Sequence, residues 1–384
     1  MSEPLSVQFI ESLTQVAATD WDRLLGGHNP FSRHAFLAAL EDTGCTSPAS
    51  GWTPRHALLY RGNRLVGAMP GYLKTHSFGE YVFDWAWADA YERNGLPYYP
   101  KYVTSIPFTP SVGPRLGLAD DIDPEAAATA LMAAVQQLAE RERLSSWHVL
   151  FPDPQAEQVL RRMPLAERLG CQFRWHNPGY HSWEDFLATL KARKRKMLRK
   201  ERLRVAEQGI RLEWLEGAAI TPEDLKSFYV FYQATYLKRG QHPYLNRAFF
   251  ETLLAQQPEQ LLLVQARHDG KRVAAALFLH DDSTLYGRYW GCLEEFDQLH
   301  FETCYYQGID YCIERGLTTF DAGAQGEHKL LRGFYPVETR SYHWIRHPAF
   351  ADAIQDFLEE EAEAIRHYKA EAETHLPYRT EEGN

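Results

Sequence analysis

Alternating apolar and polar positions predict a three-stranded meander in the first half of the chain. The strands are expected at His56–Tyr60, Leu65–Leu73 and Tyr81–Trp87, separated by the turn sequences Arg61-Gly62-Asn63 and Ser77-Phe78-Gly79. A helical pattern over Trp21–Leu40 precedes them. After the meander we expect a helix over Pro124–Arg143, a strand over Trp147–Phe151, a helix that ends near Leu169 and a strand over Cys171–Trp175.

The second half repeats this order of elements. Helices are predicted over Thr221–Tyr236 and Asn246–Ala255, and a meander of three strands over Leu261–Arg267, Arg272–His280 and Thr284–Trp290. A helix over His300–Arg315 and a strand over Thr318–Asp321 follow. The last predicted elements are a short helix over His328–Gly333, a strand over Thr339–Ile345 and a long helix over Pro348–His375. The segment LLYRGNRLVGAMPGYL can be laid over LVQARHDGKRVAAALFL with the same strand-turn-strand frame. A duplication is the favoured interpretation, and two unrelated α+β lobes are the alternative.

The length of 384 residues fits two domains better than one core. We place them at 1–180 and 181–384, the second with a basic helix at 191–208 and the long C-terminal helix. The five cysteines contain no CxxC pair, which indicates a reducing compartment and no zinc site. His343 and His347 straddle a strand end, so no metal site is expected. No signal peptide and no long uncharged apolar run is present, so we expect a cytoplasmic protein without a transmembrane segment.

A strongly basic run, KARKRKMLRKERLR, spans Lys191–Arg204 within a chain whose net charge is −10. It holds nine basic residues and one acid, in a helix expected to end at Gly209. A solvated helix face would explain the run. Because nine like charges repel one another, an anionic partner is the favoured explanation, either a phosphate-bearing substrate or RNA.

The densest candidate site lies between Phe301 and Phe334. Asp321 ends a predicted strand, and Gly323 and Gly326 allow close approach of a ligand to the backbone. Glu327, His328, Lys329 and Arg332 follow and could deprotonate an amine and hold a phosphate or an oxyanion. A helix cap with Glu327 at its start is the alternative. His300 and Glu302 could face the same cleft or could cap the preceding helix.

Aromatic residues mark a second candidate surface. Trp87, Tyr98, Tyr99 and Lys101 lie in or beside a loop rich in Pro and Tyr, where rings could line a groove for sugar or peptide. Arg288 and Trp290 alternate on one predicted strand face. For both groups, burial in a core is the alternative.

Several of these motifs together resemble a known family. The pattern consists of a basic helix with Arg195, Arg199 and Lys200, then a D-x-G with Asp321 and Gly323, then H-K-x-x-R-G-F with Lys329, Arg332, Gly333 and Phe334. It is similar to the second lobe of the Fem-type peptidoglycan bridge aminoacyltransferases, and closer to Fem-like predicted N-acyltransferases. The resemblance implies an α+β fold of two GNAT-like lobes, each a mixed sheet flanked by helices.

The resemblance also implies transfer of an acyl or aminoacyl group to an amine, with a nucleotide-sugar or lipid-linked precursor in the cleft. No tightly bound cofactor is expected, and acyl-CoA or aminoacyl-tRNA would be a co-substrate. The stretch CLEEFDQLHFETCYYQG lacks the glycines with which GNAT enzymes cradle CoA, which disfavours acyl-CoA. The chain lacks the long coiled-coil arm of the bridge enzymes, which disfavours tRNA.

Our leading hypothesis is therefore an N-acyltransferase in which Glu327 or His328 accepts the amine proton. In this hypothesis Lys329 and Arg332 bind phosphate or an oxyanion, and Asp321 orients them. Two alternatives are a non-catalytic module that binds peptidoglycan precursors or glycans, and an RNA-binding protein that uses Lys191–Arg204. The sequence leaves the oligomeric state open.

Overall fold

The computed structural model describes residues 3–324 and 326–379, which form two compact units. The first comprises the chain up to Gly170 together with Glu338–Arg366, and the second comprises Cys171–Val337 together with the residues from His367 onward. The units are therefore not continuous in sequence, whereas we expected one cut between residues 180 and 181. Residues 338–366 cause the difference, because they pack within the first unit.

The first unit contains two small sheets. Its strands are β1 (Leu5–Ile10), β2 (Trp52–Pro54), β3 (His56–Arg61), β4 (Arg64–Met69), β5 (Tyr72–Lys74), β6 (Lys101–Thr104), β7 (Gly117–Leu118) and β8 (Ser146–Leu150). Its helices are α1 (Ala18–Leu25), α2 (His34–Asp42), α3 (Trp85–Arg93), α4 (Pro124–Glu142) and α5 (Pro154–Leu160). One sheet has the order β1-β3-β4-β7 and the other β2-β5-β6-β8, in which β6 and β8 are parallel.

The second unit is built around one mixed sheet. Its strands are β9 (Ala166–His176), which enters from the first unit, β10 (Ile210–Glu216), β11 (Leu261–His268), β12 (Lys271–His280), β13 (Thr284–Cys292), β14 (Thr319–Asp321) and the start of β15 (Tyr335–Ile345). Its helices are α6 (Trp183–Ala188), α7 (Ala192–Glu207), α8 (Pro222–Leu237), α9 (Arg247–Gln256), α10 (Leu299–Phe301), α11 (Gln307–Arg315) and the end of α12 (Pro348–Thr374). The sheet order is β10-β11-β12-β13-β14-β9, with β13 and β14 parallel.

Both units share a topological pattern in which a parallel strand pair is followed by an antiparallel neighbour. In the second unit β13 is parallel to β14, and β14 pairs antiparallel with residues 174–176 of β9. In the first unit β6 is parallel to β8, and β8 pairs antiparallel with the last residues of β15. The α+β fold with mixed sheets flanked by helices is thus confirmed.

The aligned hairpins of the two halves also break register at the same place. In β3–β4 the pairing shifts after Leu59, so that Val66 is the extra residue, and in β11–β12 it shifts after Ala266, so that Val273 is the extra residue. In each hairpin the extra residue lies on the second strand, seven positions after the residue at which the register shifts, from 59 to 66 and from 266 to 273. Because a bulge adds a residue to one strand only, its recurrence supports the duplication.

Several elements of the first half differ from our expectation. The helical stretch 21–40 corresponds to α1 and α2, but the strand 65–73 is two strands, β4 and β5. Pro70 interrupts the latter because it lacks the N–H group that a strand ladder needs. The helix expected to end near Leu169 instead ends at Leu160, and β9 already begins at Ala166.

The strand expected at Tyr81–Trp87 is also wrong, because helix α3 begins at Trp85. Its buried side chains are Trp87 and Tyr91, four residues apart on one helical face. Trp85 is 41% exposed, so the alternation of aromatic residues that suggested a strand does not correspond to a buried face. Within the described residues, no helix has the length and apolar character needed to cross a bilayer.

Candidate active site

The candidate site in the second unit begins at an irregularity in β13. Pairing between β12 and β13 skips a residue, because Leu277 pairs with Tyr289 and Phe278 with Gly287. Arg288 is the skipped residue, and its Nη2 donates to Oδ2 of Asp321 at 2.8 Å. Each side chain of this ion pair is only 3% exposed. Bulges redirect side chains, and this one directs a guanidinium to the end of the neighbouring strand.

Asp321 lies where the parallel pair β13 and β14 ends. Its Oδ1 accepts the N–H of Gly323 at 3.0 Å, and Gly323 has a φ of 88°, which glycine adopts without strain. Burial by itself would raise the pKa of Asp321, but the Arg288 and Arg174 guanidinium groups hold it well below its usual range. The carboxylate is therefore ionised and forms an ion pair with Arg288.

Lys329 is a buried lysine without a carboxylate partner among the described residues. It lies in a short 3₁₀ helix, Glu327–Arg332, and its Nζ donates to the carbonyl oxygen of Gly323 at 2.6 Å. Burial lowers the pKa of Lys329 to about 8, although the charge of Asp321 opposes this effect. The amine consequently changes protonation near neutral pH, which a proton acceptor requires.

A pocket of about 140 Å³ lies beside these groups. Its wall includes one π-helical turn, Glu302–Tyr306, inserted between α10 and α11. Such turns recur at functional sites because they shift the side chains that follow. The lining residues are Ala276, Leu277, Phe278, Gly287, Arg288, Tyr289, Trp290, His300, Cys304, Tyr305 and Ala322.

Two histidines meet at this pocket. His300 lines it, with its ring 5.4 Å from that of Trp290 and 6.4 Å from that of His328. Burial, and then the positive charges of His328, Arg332, Lys329 and Arg239, lower the pKa of His300 to about 4. His328 Nε2 is 2.9 Å from the Tyr305 hydroxyl, and burial and the neighbouring cations lower its pKa as well. Both imidazoles are therefore neutral at pH 7.

The structure thus brings together most of the candidates predicted in this region. Arg288, Trp290 and His300 line the pocket. Behind the lining, Asp321 bonds Arg288, His328 bonds Tyr305, and Lys329 Nζ lies 6.0 Å from the centre of the Tyr305 ring. Glu327 is exposed and accepts a hydrogen bond from the Tyr368 hydroxyl at 2.9 Å. Glu302 is buried and accepts from Arg202 at 3.0 Å, so neither of these carboxylates lines the pocket.

Arg332 serves the interior rather than a ligand. Its guanidinium donates to both carboxylate oxygens of Glu201, at 3.0 and 2.8 Å, and to the Tyr306 hydroxyl at 2.9 Å. It also lies 3.5 Å from the centre of the Phe301 ring. This geometry does not favour Arg332 as a phosphate ligand, because its Nε, Nη1 and Nη2 each donate within the protein and one face of the group lies against Phe301. The substrate-binding role of Arg332 stays a prediction.

The basic helix α7 is partly neutralised by carboxylates of the same unit. Arg199 pairs with Glu184, Arg202 with Glu302 and Asp310, and Arg204 with Asp297 and Glu207. Arg195 is half-buried and Lys200 is exposed on the same helix. A substrate-binding role for Arg195, Arg199 and Lys200 stays a prediction.

The aromatic candidates of the first unit lie mainly in its interior. Trp87, Tyr98 and Lys101 are at most 4% exposed, whereas we expected a loop that leaves them accessible. Lys101 Nζ donates to Glu80 and Ser77, each at 2.8 Å, and also contacts Asp84. Tyr99 is half-buried. The carboxylate pair compensates the buried lysine charge, which is how such a group is tolerated in a core.

Sequence reasoning missed Cys304, Tyr305 and the buried pair His148 and His343. Cys304 and Tyr305 enter the pocket through the π-helical turn, which leaves no signal in the hydrophobic pattern. His148 Nδ1 lies 2.6 Å from His343 Nδ1, and the two residues are 195 positions apart in the chain. Only pairing of β8 with β15, which places His148 opposite His343, brings them together.

Residues 12–380 match the model of the FemAB-like family, described as peptidoglycan biosynthesis/recognition. The chain belongs to the FemAB-like family. No curated protein matches it. Among solved structures, FemX is similar at 15% identity, with 88% of this chain and 98% of that chain covered and a TM-score of 0.54.

A second similar structure is the C-terminal domain of a putative lysylphosphatidylglycerol synthetase from Agrobacterium fabrum, at 12% identity. The match covers 88% of this chain and 94% of that domain, with a TM-score of 0.50. At such identities the likeness concerns the fold. FemX and this FemAB-like chain therefore share the two-unit α+β architecture.

Proposed function

We propose that this FemAB-like protein transfers an acyl or aminoacyl group to an amine, with the chemistry at the pocket of the second unit. The observation that carries the proposal is Lys329, a buried amine beside the pocket whose pKa of about 8 suits proton transfer. It takes the place of Glu327 in our sequence hypothesis, because Glu327 is exposed and bonded to Tyr368. His328 remains a candidate partner through Tyr305.

In the proposed reaction the acceptor nitrogen attacks the carbonyl carbon of the acyl donor. A bond forms between nitrogen and carbon, the bond from that carbon to the donor's leaving group breaks, and Lys329 passes the proton lost by the amine to the leaving group. Arg288 lines the pocket while its N–H groups bond Asp321 and Gly287, so it would stabilise negative charge on the carbonyl oxygen through its positive charge rather than through a new hydrogen bond. Asp321 is a positioning residue, since it holds Arg288 at 2.8 Å.

For the acceptor we propose a peptidoglycan or cell-envelope precursor, as a nucleotide-sugar or lipid-linked molecule. Membership of the FemAB-like family and the fold shared with FemX support this class. A cytoplasmic site of action belongs to the proposal, and five free cysteines suit a reducing compartment. The segment before α10 carries Glu294, Glu295 and Asp297, all exposed, which is unfavourable for the pyrophosphate of CoA.

The test is a transfer assay with purified protein, UDP-linked sugar peptide as acceptor, and acyl-CoA or aminoacyl-tRNA as alternative donors. Mass spectrometry should detect a new amide on the acceptor amine. Lys329→Met should abolish this product, whereas the exposed control Lys226→Met should not. If the sugar peptide binds but no donor gives an amide, the protein is instead a precursor-binding module. That outcome also agrees with the family description, which includes peptidoglycan recognition.

The RNA-binding alternative is less favoured, because three of the nine basic residues of Lys191–Arg204 pair with carboxylates. It predicts an affinity for RNA that falls steeply with salt. Neutralising Arg195 and Lys200 together should reduce that salt dependence if the helix binds a polyanion.

A further inference from the structure

The volume of the pocket limits what can enter it. At about 140 Å³ it compares with an engineered protein cavity of roughly 150 Å³ that accommodates one benzene molecule. Sites for drug-sized ligands are larger, on the order of 300–1,000 Å³. The pocket therefore has room for a group of about six non-hydrogen atoms, and the remainder of a larger ligand must lie outside it, on its open side.

The walls are packed rings that leave little scope for widening. The ring of Phe278 lies 6.0 Å from that of Phe320, and His300 lies 5.4 Å from Trp290 and 5.5 Å from Tyr305. A side chain at Gly287 would place its Cβ 3.2 Å from Phe278, so the floor is already close-packed. Closely packed side chains resist displacement, so the pocket should discriminate between acyl groups by their size.

The charges around the pocket disfavour a cation. Among the described residues that line it, none carries a carboxylate, while Arg288 places a guanidinium in the wall. Asp321 lies behind that guanidinium and is bonded to it. The pKa of His300 is lowered first by burial and then by nearby positive charges, among them Arg332, Lys329 and Arg239, and both effects oppose a cation at that position. An ammonium group in the pocket would meet the same opposition.

We infer that the transferred group is a short acyl chain without positive charge, of about two to five carbons, rather than an aminoacyl group or a long fatty acyl chain. That this acyl group is transferred rests on the proposed function. Which acyl groups the pocket binds can be measured without turnover. It goes beyond the family membership, which leaves the acyl group open.

Binding is measured by calorimetry with amides of N-acetylethylenediamine, which carry an acyl group but no leaving group. The decisive pair is propionyl and glycyl, which have the same shape and differ in a methyl against an ammonium at about pH 6.5. We expect propionyl to bind at least tenfold more tightly than glycyl, and butyryl at least tenfold more tightly than octanoyl. Equal or reversed affinities within either pair, or binding of no amide, would overturn the inference.

Variants of the wall locate the effect. Ala322→Val should retain acetyl binding but lose butyryl, and Trp290→Ala should extend the limit to octanoyl. Trp344→Ala, a partly buried tryptophan of β15 in the first unit, is the matched control and should leave the limit unchanged. A limit that stays the same in both pocket variants would place the acyl site elsewhere and refute the assignment.

The same amides, remade as thioesters, separate this inference from the proposed function. If the binding order holds but no thioester acylates an amine, the transferase proposal fails and the pocket assignment stands. If glycyl or octanoyl thioesters are transferred as well as propionyl, the transferase proposal stands and the inference on the acyl group fails.

Discussion

Arg288 on the bulge of β13 and Asp321 at the end of β14 form an ion pair of 2.8 Å in which both side chains are buried. The pair joins the two parallel strands beside the pocket, whose lining includes Arg288 and Ala322. It explains how a guanidinium can line an otherwise aromatic pocket, since the carboxylate behind it compensates its charge.

Replacing Asp321 by Asn should lower the free energy of unfolding by about 3–5 kcal/mol, because it removes the buried carboxylate that pairs with the Arg288 guanidinium. Urea unfolding followed by tryptophan fluorescence measures this. The control is Asp121→Asn, which removes two solvent-accessible ion pairs, with Arg61 and Arg64, and should change the midpoint little. Equal midpoints for the two variants would show that the buried pair does not stabilise the protein.

Lys329 should govern the pH dependence of transfer. With a pKa of about 8, it becomes a proton acceptor as pH rises, so kcat/KM should increase through pH 8. Lys329→Arg keeps the charge but cannot deprotonate, and should lower the rate by about 10²–10⁴-fold and remove the pH dependence. Lys226→Arg, at an exposed position of α8, is the control. A Lys329 variant with an unchanged profile would exclude this residue as the base.

The same shift has a consequence for stability. Between pH 8 and the usual lysine pKa of 10.5, the unfolded chain binds a proton that folded Lys329 has lost, so stability rises with pH. The rise amounts to about 3 kcal/mol. Lys329→Met removes the group from both states and should lack this rise in pH-dependent urea unfolding. A parallel rise in the variant would show that other groups cause it.

The buried pair of His148 and His343 should make the protein sensitive to acid. Burial lowers the pKa of His148 to about 3 and that of His343 well below its usual value. As pH falls below about 6.5, the two histidines bind protons in the unfolded chain but stay neutral in the folded protein. The free energy of unfolding therefore falls by up to about 1.4 kcal/mol per pH unit for each histidine. His343→Gln should therefore flatten urea midpoints between about pH 6.5 and 4.5. The exposed control His181→Gln should retain the wild-type slope.

Glu201 should be essential for stability although it lies on the basic helix. Glu201→Gln leaves the buried Arg332 guanidinium without its carboxylate and should cost about 3–5 kcal/mol in urea unfolding. Glu184→Gln removes the exposed partner of Arg199 on the same helix and should have no measurable effect. Similar losses in both variants would mean that the two ion pairs differ less than their burial indicates.

The sequence by itself determined the elements whose residues repeat with a regular period. Strands β11, β12 and β13, helix α7 and the aligned hairpins follow from local alternation and turn residues, because these depend on neighbours in the chain. The D-x-G and H-K-x-x-R-G-F motifs likewise identify Asp321 and Lys329 as members of one candidate region, since the two residues are close together in the chain.

Tertiary structure alone decided which of the candidate charges reach a pocket. Lys329 and Arg332 lie in the same motif, yet Lys329 lies behind Tyr305 of the pocket wall, whereas Arg332 is paired with Glu201, which is 131 positions away in the chain. Two further features cannot be read from the local sequence pattern. They are the register shift in β13 that brings Arg288 to Asp321, and the π-helical turn that places Tyr305 in the pocket wall. Burial and long-range pairing fix these features, because the energy of a buried charge depends on partners that the folded chain brings from distant positions.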